Sequence, residues 1–397
     1  MKVWSIFYGN LSLNQGPTTH FSELTKGLVQ AAVDITGYAP ALGRYAGPHK
    51  DKLHIKYTWT LNIPFIRVVV YDLVLFFRLL FTFPKPDIFY VRAAYFSFFA
   101  PLLAKLCRRK LVLEINGFVV DDVISKGWPK PLHWISINCE KFLHSIADAS
   151  ICVSATIAKA VHDTFSVPEQ KLFALENGVN IEHFRPLDKK ACRAELGFAP
   201  DIDCIGYVGC FTGWDGIEHI VRALPEIQKD FPQTKVLLVG DGEQKSFVES
   251  EVKKLGLEKE VIFTGYAPYR DLPKYLNVFT VAVAPYGGSD SIQTRNKKGG
   301  LSSLKCKEYI SSGLPVIAAD ISGVDYINNL AGFVIPQGDT KALAERVKLL
   351  LGDAALREKF SLAGREYAVQ NCSWQNVASK TKEIFIEVLK SNGYKNG

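Results

Sequence analysis

Short apolar runs recur along the chain, each closed by glycine, proline or a charged residue and separated by stretches whose apolar positions have helical spacing. In the first half the strand-like runs are Val3–Tyr8, Leu53–Trp59, Asp87–Arg92, Lys110–Ile115, Ser150–Ser154 and Leu172–Leu175. In the second half they are Cys204–Val208, Lys235–Val239, Val261–Thr264, Thr280–Ala284, Val316–Ala319 and Gly332–Ile335. Strands that alternate with helices specify parallel sheets joined by right-handed crossovers. Two such sets meet near "NGVNIEHFRPLDKK", with the break at Pro186 and the charged stretch after it. The predicted architecture is α/β, two doubly wound, Rossmann-like domains over residues 1–185 and 186–373. Open parallel sheets bind ligands beyond the carboxyl ends of their strands, so two facing domains put the default site in the cleft between them.

The strand exits are rich in glycine. "FYGN" leads to a loop with Gly16 and a helix near His20; "LVLEING" ends at Glu114, Asn116 and Gly117; "LENGVN" ends at Asn177 and Gly178. In the second half the exits carry Gly209, Gly213 and Gly216, then Gly240, Asp241 and Gly242, then Pro285 to Gly288. Glycine lets backbone approach a ligand closely, and it also serves tight turns. Several at corresponding places favour a large polar ligand. Neither GxxxxGK[ST] nor GxGxxG occurs, so neither a P-loop nor a dinucleotide fingerprint is present.

One exit carries charge where charge needs a reason. "SSLKCKEYISSGLPVIAAD" (302–320) predicts a helix over 304–312, stopped by Gly313 and Pro315, and a buried strand at Val316–Ala319. Lys305 and Glu308 are three apart and share a face in the first turn. Glu suits the positive end of the helix dipole, whereas Lys opposes it unless an anion sits nearby. The alternative is a solvated ion pair. A second stretch, "IPFIRVVVYDLVLFFRLLFTF" (63–83), is the most apolar in the chain, yet Arg67, Asp72 and Arg78 make it a poor membrane span. Arg67 and Arg78 fall on one helix face, which fits an amphipathic helix lying on a membrane; a crossover helix under the first sheet is the other reading.

Composition narrows the classes. A length of 397 residues exceeds one core, and 48% hydrophobic with 22% charged residues describes an ordinary folded protein. The eight cysteines lack a CxxC or a Cys/His ligand spacing, which points to reduced thiols and away from a disulfide framework or a metal site. "MKVWSIFYGN" is too short for a signal-peptide apolar core and reads as a first strand, so the chain is expected in the cytoplasm. Residues 1–185 hold 20 Lys and Arg against 14 Asp and Glu, while residues 186–397 hold 27 against 26. The basic first half suits an anionic membrane surface or a phosphorylated acceptor, or is a chance asymmetry. It lacks the clustered basic and aromatic motifs of nucleic-acid binding.

The second half resembles the group 1, or family 4, retaining glycosyltransferases of the GT-B fold. The resemblance rests on "NGVNIEHFRP", "GYVGCFTGWDGIEHIVRAL", "LLVGDGEQ" followed by "VIFTGYAPYRDLPKYLNVFTVAVAPY", and "SSLKCKEYISSGLPVIA", in that order over residues 177–337. In the first half "NQGPTTHFSEL" looks like the family's glycine-rich acceptor-side loop, and "FYVRAAYF" with "KLVLEING" resembles the variant with Asn after the fourth strand. The fold implied has a last helix, about 374–391, crossing back to the first domain.

The resemblance implies roles. Lys305 falls on a lysine that neutralises the diphosphate of a nucleotide sugar, and Glu308 on a glutamate that accepts hydrogen bonds from ribose hydroxyls. Gly16 resembles the glycine that approaches the transferred sugar or its phosphate. The strand-end glycines Gly209, Gly213, Gly240 and Gly242 would border the donor. His20, Asn116, Asp121 and Asp122 are acceptor-side candidates, His20 being equally a capping or core residue and the aspartates a solvated helix start. Two departures stand out: position 300 is Gly where many relatives have Glu, and Cys210, Gly213 and Trp214 stand where many have Arg and Lys. The diphosphate would then lean on Lys305, backbone amides, and Arg295, Lys297 or Lys298.

The implied reaction moves a sugar from a nucleoside diphosphate to an acceptor hydroxyl with retention, using stabilisation of the leaving diphosphate and alignment of the acceptor. It implies no metal or cofactor, a nucleotide-sugar donor as substrate, and a sugar, lipid-linked or glycan acceptor. The other readings are a non-catalytic nucleotide-sugar-binding protein and an NDP-sugar epimerase or hydrolase on the same fold.

Overall fold

The computed structural model describes residues 1–13, 16–43, 53–63, 66–125, 127–287 and 302–391. Two all-parallel sheets organise them. The first has the order β3-β2-β1-β4-β5-β6-β7, built from β1 (Lys2–Ile6), β2 (Asp34–Pro40), β3 (Ile55–Thr58), β4 (Ile88–Arg92), β5 (Lys110–Ile115), β6 (Ala149–Cys152) and β7 (Leu172–Ala174). The second has the order β10-β9-β8-β11-β12-β13, built from β8 (Cys204–Val208), β9 (Lys235–Val239), β10 (Val261–Gly265), β11 (Val281–Ala284), β12 (Val316–Ala319) and β13 (Gly332–Ile335). Each sheet runs outward in one direction and then in the other. The reversals fall between β1 and β4 and between β8 and β11, and these are the switch points at which such sheets bind ligands.

One strand escaped the pattern. β2 pairs with β1 in the register Val3↔Ile35 to Ile6↔Tyr38, although "DITGYAP" contains two breakers. Gly37 is there because the Phe21 ring of helix Gly16–Gln30 lies against it: a Cβ would come within 2.9 Å of that ring. Pro40 closes the strand.

The chain divides into two compact units at Gly178/Val179, before the Pro186 expected to mark the break. Residues 179–185 pack within the second unit. Val179 N–H donates to Cys372 O at 2.7 Å, and Arg365 Nη1 donates to the carbonyls of Ile181 and Phe184 at 3.0 Å each. Helix Trp374–Lys390 belongs to the first unit. Gly27 faces Ala378 and Trp374 at close range, Phe385 meets Tyr90 edge to face, and Lys382 Nζ caps the carbonyl of Ala31 at 2.6 Å.

The apolar segment over 63–83 forms helix Ile66–Leu80, which packs Val68, Tyr71, Leu75 and Leu79 into the core of the first sheet. Asp72 is buried there because it has work: its carboxylate accepts from Tyr8 Oη at 2.7 Å and from the backbone N–H groups of Phe98, Phe99 and Ala100, which open helix Phe99–Leu106. Arg78 turns inward to donate to Tyr57 O and Thr58 Oγ1 at 2.6 and 2.9 Å. It is therefore the crossover helix. Its outer side nevertheless exposes Ile66, Leu73 and Phe77, with Phe81 and Phe83 just beyond. No described helix is long and apolar enough to cross a membrane.

Candidate active site

The second unit builds its site at the β8/β11 reversal. Helix Leu304–Ser311 starts at Ser303, whose Oγ accepts from Cys306 N–H at 3.3 Å and shares a 2.6 Å hydrogen bond with Tyr286 Oη from the exit of β11. That cap fixes the first turn, and Lys305 in it points back to the exit of β8. Its ammonium pairs with the Asp215 carboxylate and donates to Tyr207 Oη at 2.9 Å. It also lies 4.5 Å from the Tyr207 ring centre, 4.8 Å from that of Tyr286 and 5.8 Å from that of Trp214. Trp214 and Tyr286 stack at 5.7 Å with 9° between their planes, tying the two strand exits together. Asp215 is buried, with its second oxygen accepting from Thr212 Oγ1.

This answers the charge at the helix start. Lys305 and Glu308 do not form a surface ion pair with each other; the anion that offsets Lys305 is Asp215, ninety residues earlier. Glu308, half-buried on the same face, shows no such partner among the described residues. Burial pushes its carboxyl up to about 7, with the Lys305 charge offsetting only part of the effect.

The glycines at these exits make room for one another. A Cβ on Gly240 would land on the carbonyl oxygen of Gly209, and one on Gly242 would stand 2.5 Å from Phe211 O. A Cβ on Gly209 would stand 2.7 Å from Tyr207 Oη and 3.2 Å from Lys305 Nζ. Close backbone packing thus accounts for Gly240 and Gly242, while Gly209 keeps open the space beside the ammonium. Gly213 is buried in the turn before Trp214. Arg295, like Lys297, Lys298 and Gly300, lies outside the described residues.

The first unit has a second charged cluster at the β1/β4 reversal. His20, on helix Gly16–Gln30, sets Nε2 3.1 Å from Glu114 Oε1 and Nδ1 2.6 Å from Asn177 Oδ1, with its ring edge-on to Trp374 at 5.2 Å. Arg92 Nη1 and Asn116 Nδ2 reach the same Glu114 oxygen at 3.0 and 2.6 Å. Burial alone would raise the Glu114 carboxyl, but the His20 and Arg92 charges and the hydrogen bonds from His20 and Asn116 hold it well below the ordinary range. The cluster thus joins His20 and Asn116. It does not include Gly16, which is exposed at the start of its helix, and Asp121 sits half-buried in the first turn of helix Val119–Ser125.

Sequence reasoning missed Glu114, Arg92, Asp215, Tyr207 and Tyr286 as members of these clusters. For Glu114 and Asp215 a signal existed, a carboxylate at the end of an apolar strand and another between two glycines of an exit loop. For the tyrosines none did, because apolar strands use tyrosine freely.

The two-sheet architecture is GT-B. Over 98% of this chain and 100% of the other, it superposes on a sucrose-phosphate synthase from Thermosynechococcus elongatus with a TM-score of 0.76 at 19% identity. Anabaena HepE, solved in complex with UDP, matches with a TM-score of 0.73 at 17% identity over 98% of this chain and 100% of its own. Residues 188–367 match the family described as glycosyl transferases group 1, and residues 15–183 match glycosyltransferase family 4. The chain belongs to the group 1, family 4 glycosyltransferases. A Mycolicibacterium smegmatis relative, GDP-mannose-dependent alpha-(1-6)-phosphatidylinositol monomannoside mannosyltransferase, is 25% identical over 74% of each chain. Other curated relatives are spanned over only 61% and 59% of their length.

Proposed function

We propose that the protein transfers a sugar from a nucleoside diphosphate donor to an acceptor hydroxyl with retention, in the synthesis of a polysaccharide, glycolipid or other glycoconjugate. The observation that carries this reading is the Lys305 ammonium, held at the exit of β8 with Glu308 one turn along the same helix face. Lys305 neutralises the diphosphate as its bond to the sugar breaks, a charge that grows towards the transition state. Glu308 accepts from the ribose hydroxyls. A carboxyl pushed up to about 7 carries a proton in part of the population at neutral pH, so donor binding through it strengthens as pH rises past 7. The donor reading is supported by HepE, which binds UDP, and by the relative whose name gives GDP-mannose as donor. His20 and Asn116, locked by Glu114, form the acceptor side for a sugar, a lipid-linked sugar or a glycan. No step calls for a metal.

The place of work is the cytoplasm, with peripheral contact to an anionic membrane. Arg78 is engaged inside the first unit, so this contact falls to the apolar outer side of helix Ile66–Leu80 and the phenylalanines after it. The experiment is a panel of UDP- and GDP-sugars scored by thermal shift, then by transfer with and without acceptor, with the anomeric configuration of the product read by NMR. Free sugar with no transfer product, with or without acceptor, would make the protein a hydrolase, and inversion would remove retention.

A further inference from the structure

Reading Lys305 as the cation for a diphosphate leaves an anion in the same place to explain. Asp215 is 2% exposed and firmly held: Thr212 donates to its outer oxygen through Oγ1 and, at 3.3 Å, through the backbone N–H. Its loop is pinned where Trp214 stacks on Tyr286 and Gly287 N–H donates to Trp214 O at 3.1 Å. The carboxylate is therefore fixed while the lysine side chain is long and jointed. An ammonium has three N–H donors, and here two serve Asp215 and Tyr207 Oη. A third remains for a ligand beside Gly209, where a Cβ would come within 3.2 Å of the nitrogen.

Charge decides what this arrangement does. A nucleoside diphosphate released from its sugar carries one more negative charge than the nucleotide sugar it came from. A lone buried ammonium would hold the product tightest of all, and turnover would stall on release. We infer that Asp215 is a positioning residue that competes with the diphosphate for Lys305, keeping the ammonium at the β8 exit and limiting how tightly the product is held. This inference rests on the reading of Lys305 given above.

The test is calorimetric titration of the full chain with UDP and GDP, at low and high salt, alongside melting temperatures. Asp215→Asn keeps the shape and removes the charge, and is expected to bind the preferred nucleoside diphosphate at least about threefold more tightly, with the gain shrinking as salt rises. In steady state its kcat falls and its inhibition by product deepens. A counter-ion of purely structural use would give weaker or unchanged binding in Asp215→Asn, and either result overturns the inference. If that variant does not fold, Thr212→Val, which takes the hydroxyl donor from the outer carboxylate oxygen and so strengthens the competitor, is expected to weaken nucleotide binding, and unchanged or tighter binding counts equally against the inference. Lys305→Gln separates the two readings. Unchanged nucleotide binding in Lys305→Gln, or no binding of either nucleotide by the unaltered chain, defeats the donor reading itself. At least tenfold weaker binding in Lys305→Gln with no tightening in Asp215→Asn defeats only the role of Asp215.

Discussion

The two sheet reversals treat buried charge in opposite ways. In the first unit one carboxylate, Glu114, is surrounded by donors: His20, Arg92 and Asn116 converge on it, and its carboxyl is held far down. In the second unit one ammonium, Lys305, is surrounded by acceptors and aromatic faces, while Glu308 beside it is left to burial and driven up to about 7. A saturated carboxylate is a rigid support that does not titrate near neutrality. A carboxyl poised near neutrality is one whose state a ligand can change. The contrast separates a cluster whose carboxylate is saturated from one that sets a carboxyl near neutrality beside an ammonium.

The comparison breaks most visibly at Lys305. Lys305→Ala should lower kcat by about a hundredfold or more, beyond its effect on donor affinity, since charge stabilisation is greatest as the diphosphate leaves. It also leaves Asp215 buried without its cation, so melting temperature should fall. Adding Asp215→Asn should restore the melting temperature and leave kcat low. Restored turnover in the double variant would show that Lys305 supports folding alone.

Next in size is Glu114→Gln, which strands the Arg92 charge and weakens the acceptor on which His20 and Asn116 converge. A loss of about 3–5 kcal/mol from the first unit is expected in urea melts followed by that unit's tryptophans. The sign against pH follows from a lowered carboxyl. The stabilisation is present above the ordinary carboxylate range and is lost as pH falls below it, so the unaltered chain and the variant should converge in acid. A gap between them that stays constant from pH 7 to pH 3 would refute the ionised cluster.

Glu308→Gln tests the poised partner. Donor affinity should fall by about 1.5–3 kcal/mol at pH 8, the worth of hydrogen bonds to a charged acceptor. Stability should move the other way. A carboxyl raised to about 7 keeps its proton in the folded state where the unfolded chain has lost it, so stability drains away as pH rises from about 4.5 to about 7. The glutamine variant escapes this and should melt higher than the parent at pH 8 and level with it at pH 4. Equal melting curves at both pH values would mean that Glu308 is as solvated as a surface residue.

The smallest effect belongs to the outer side of helix Ile66–Leu80. Phe77→Ser, at an exposed position, should change stability by under about 0.5 kcal/mol and leave soluble-substrate turnover alone, while weakening sedimentation with anionic vesicles. Vesicle binding that survives Phe77→Ser combined with Phe81→Ser, or that the unaltered chain lacks, removes the membrane from the account.

The alternation of strands and helices, the two sets they form and the helix that presents Lys305 and Glu308 on one face were legible in residue order, because periodicity and capping act over a few neighbours; the strand order, and with it the reversals, was not. The same locality explains the errors. β2 is absent from the strand-like runs of the first half; its Gly37 and Pro40 interrupt the apolar pattern locally, and the glycine answers to a Phe21 ring on a neighbouring helix. The break fell before Pro186 because Arg365 and Ser311, far along the chain, hold Ile181 and Phe184 to the second unit. The strand-exit glycines were read as space for a ligand, and two of them prove to be space for another backbone.

Chemistry at the sites belongs to contacts no local pattern encodes. His20 meets Asn177 across 157 residues, and Lys305 meets Asp215 across ninety. Residue order placed a lysine at a helix start, where a nearby anion would offset it; folding chose Asp215, and among the described residues it gave Glu308 no such partner, so burial sets that carboxyl near neutrality. The reason is that the energy of a charge depends on its distance to other charges and on how much water remains around it, and both quantities exist only once the strands have been brought together.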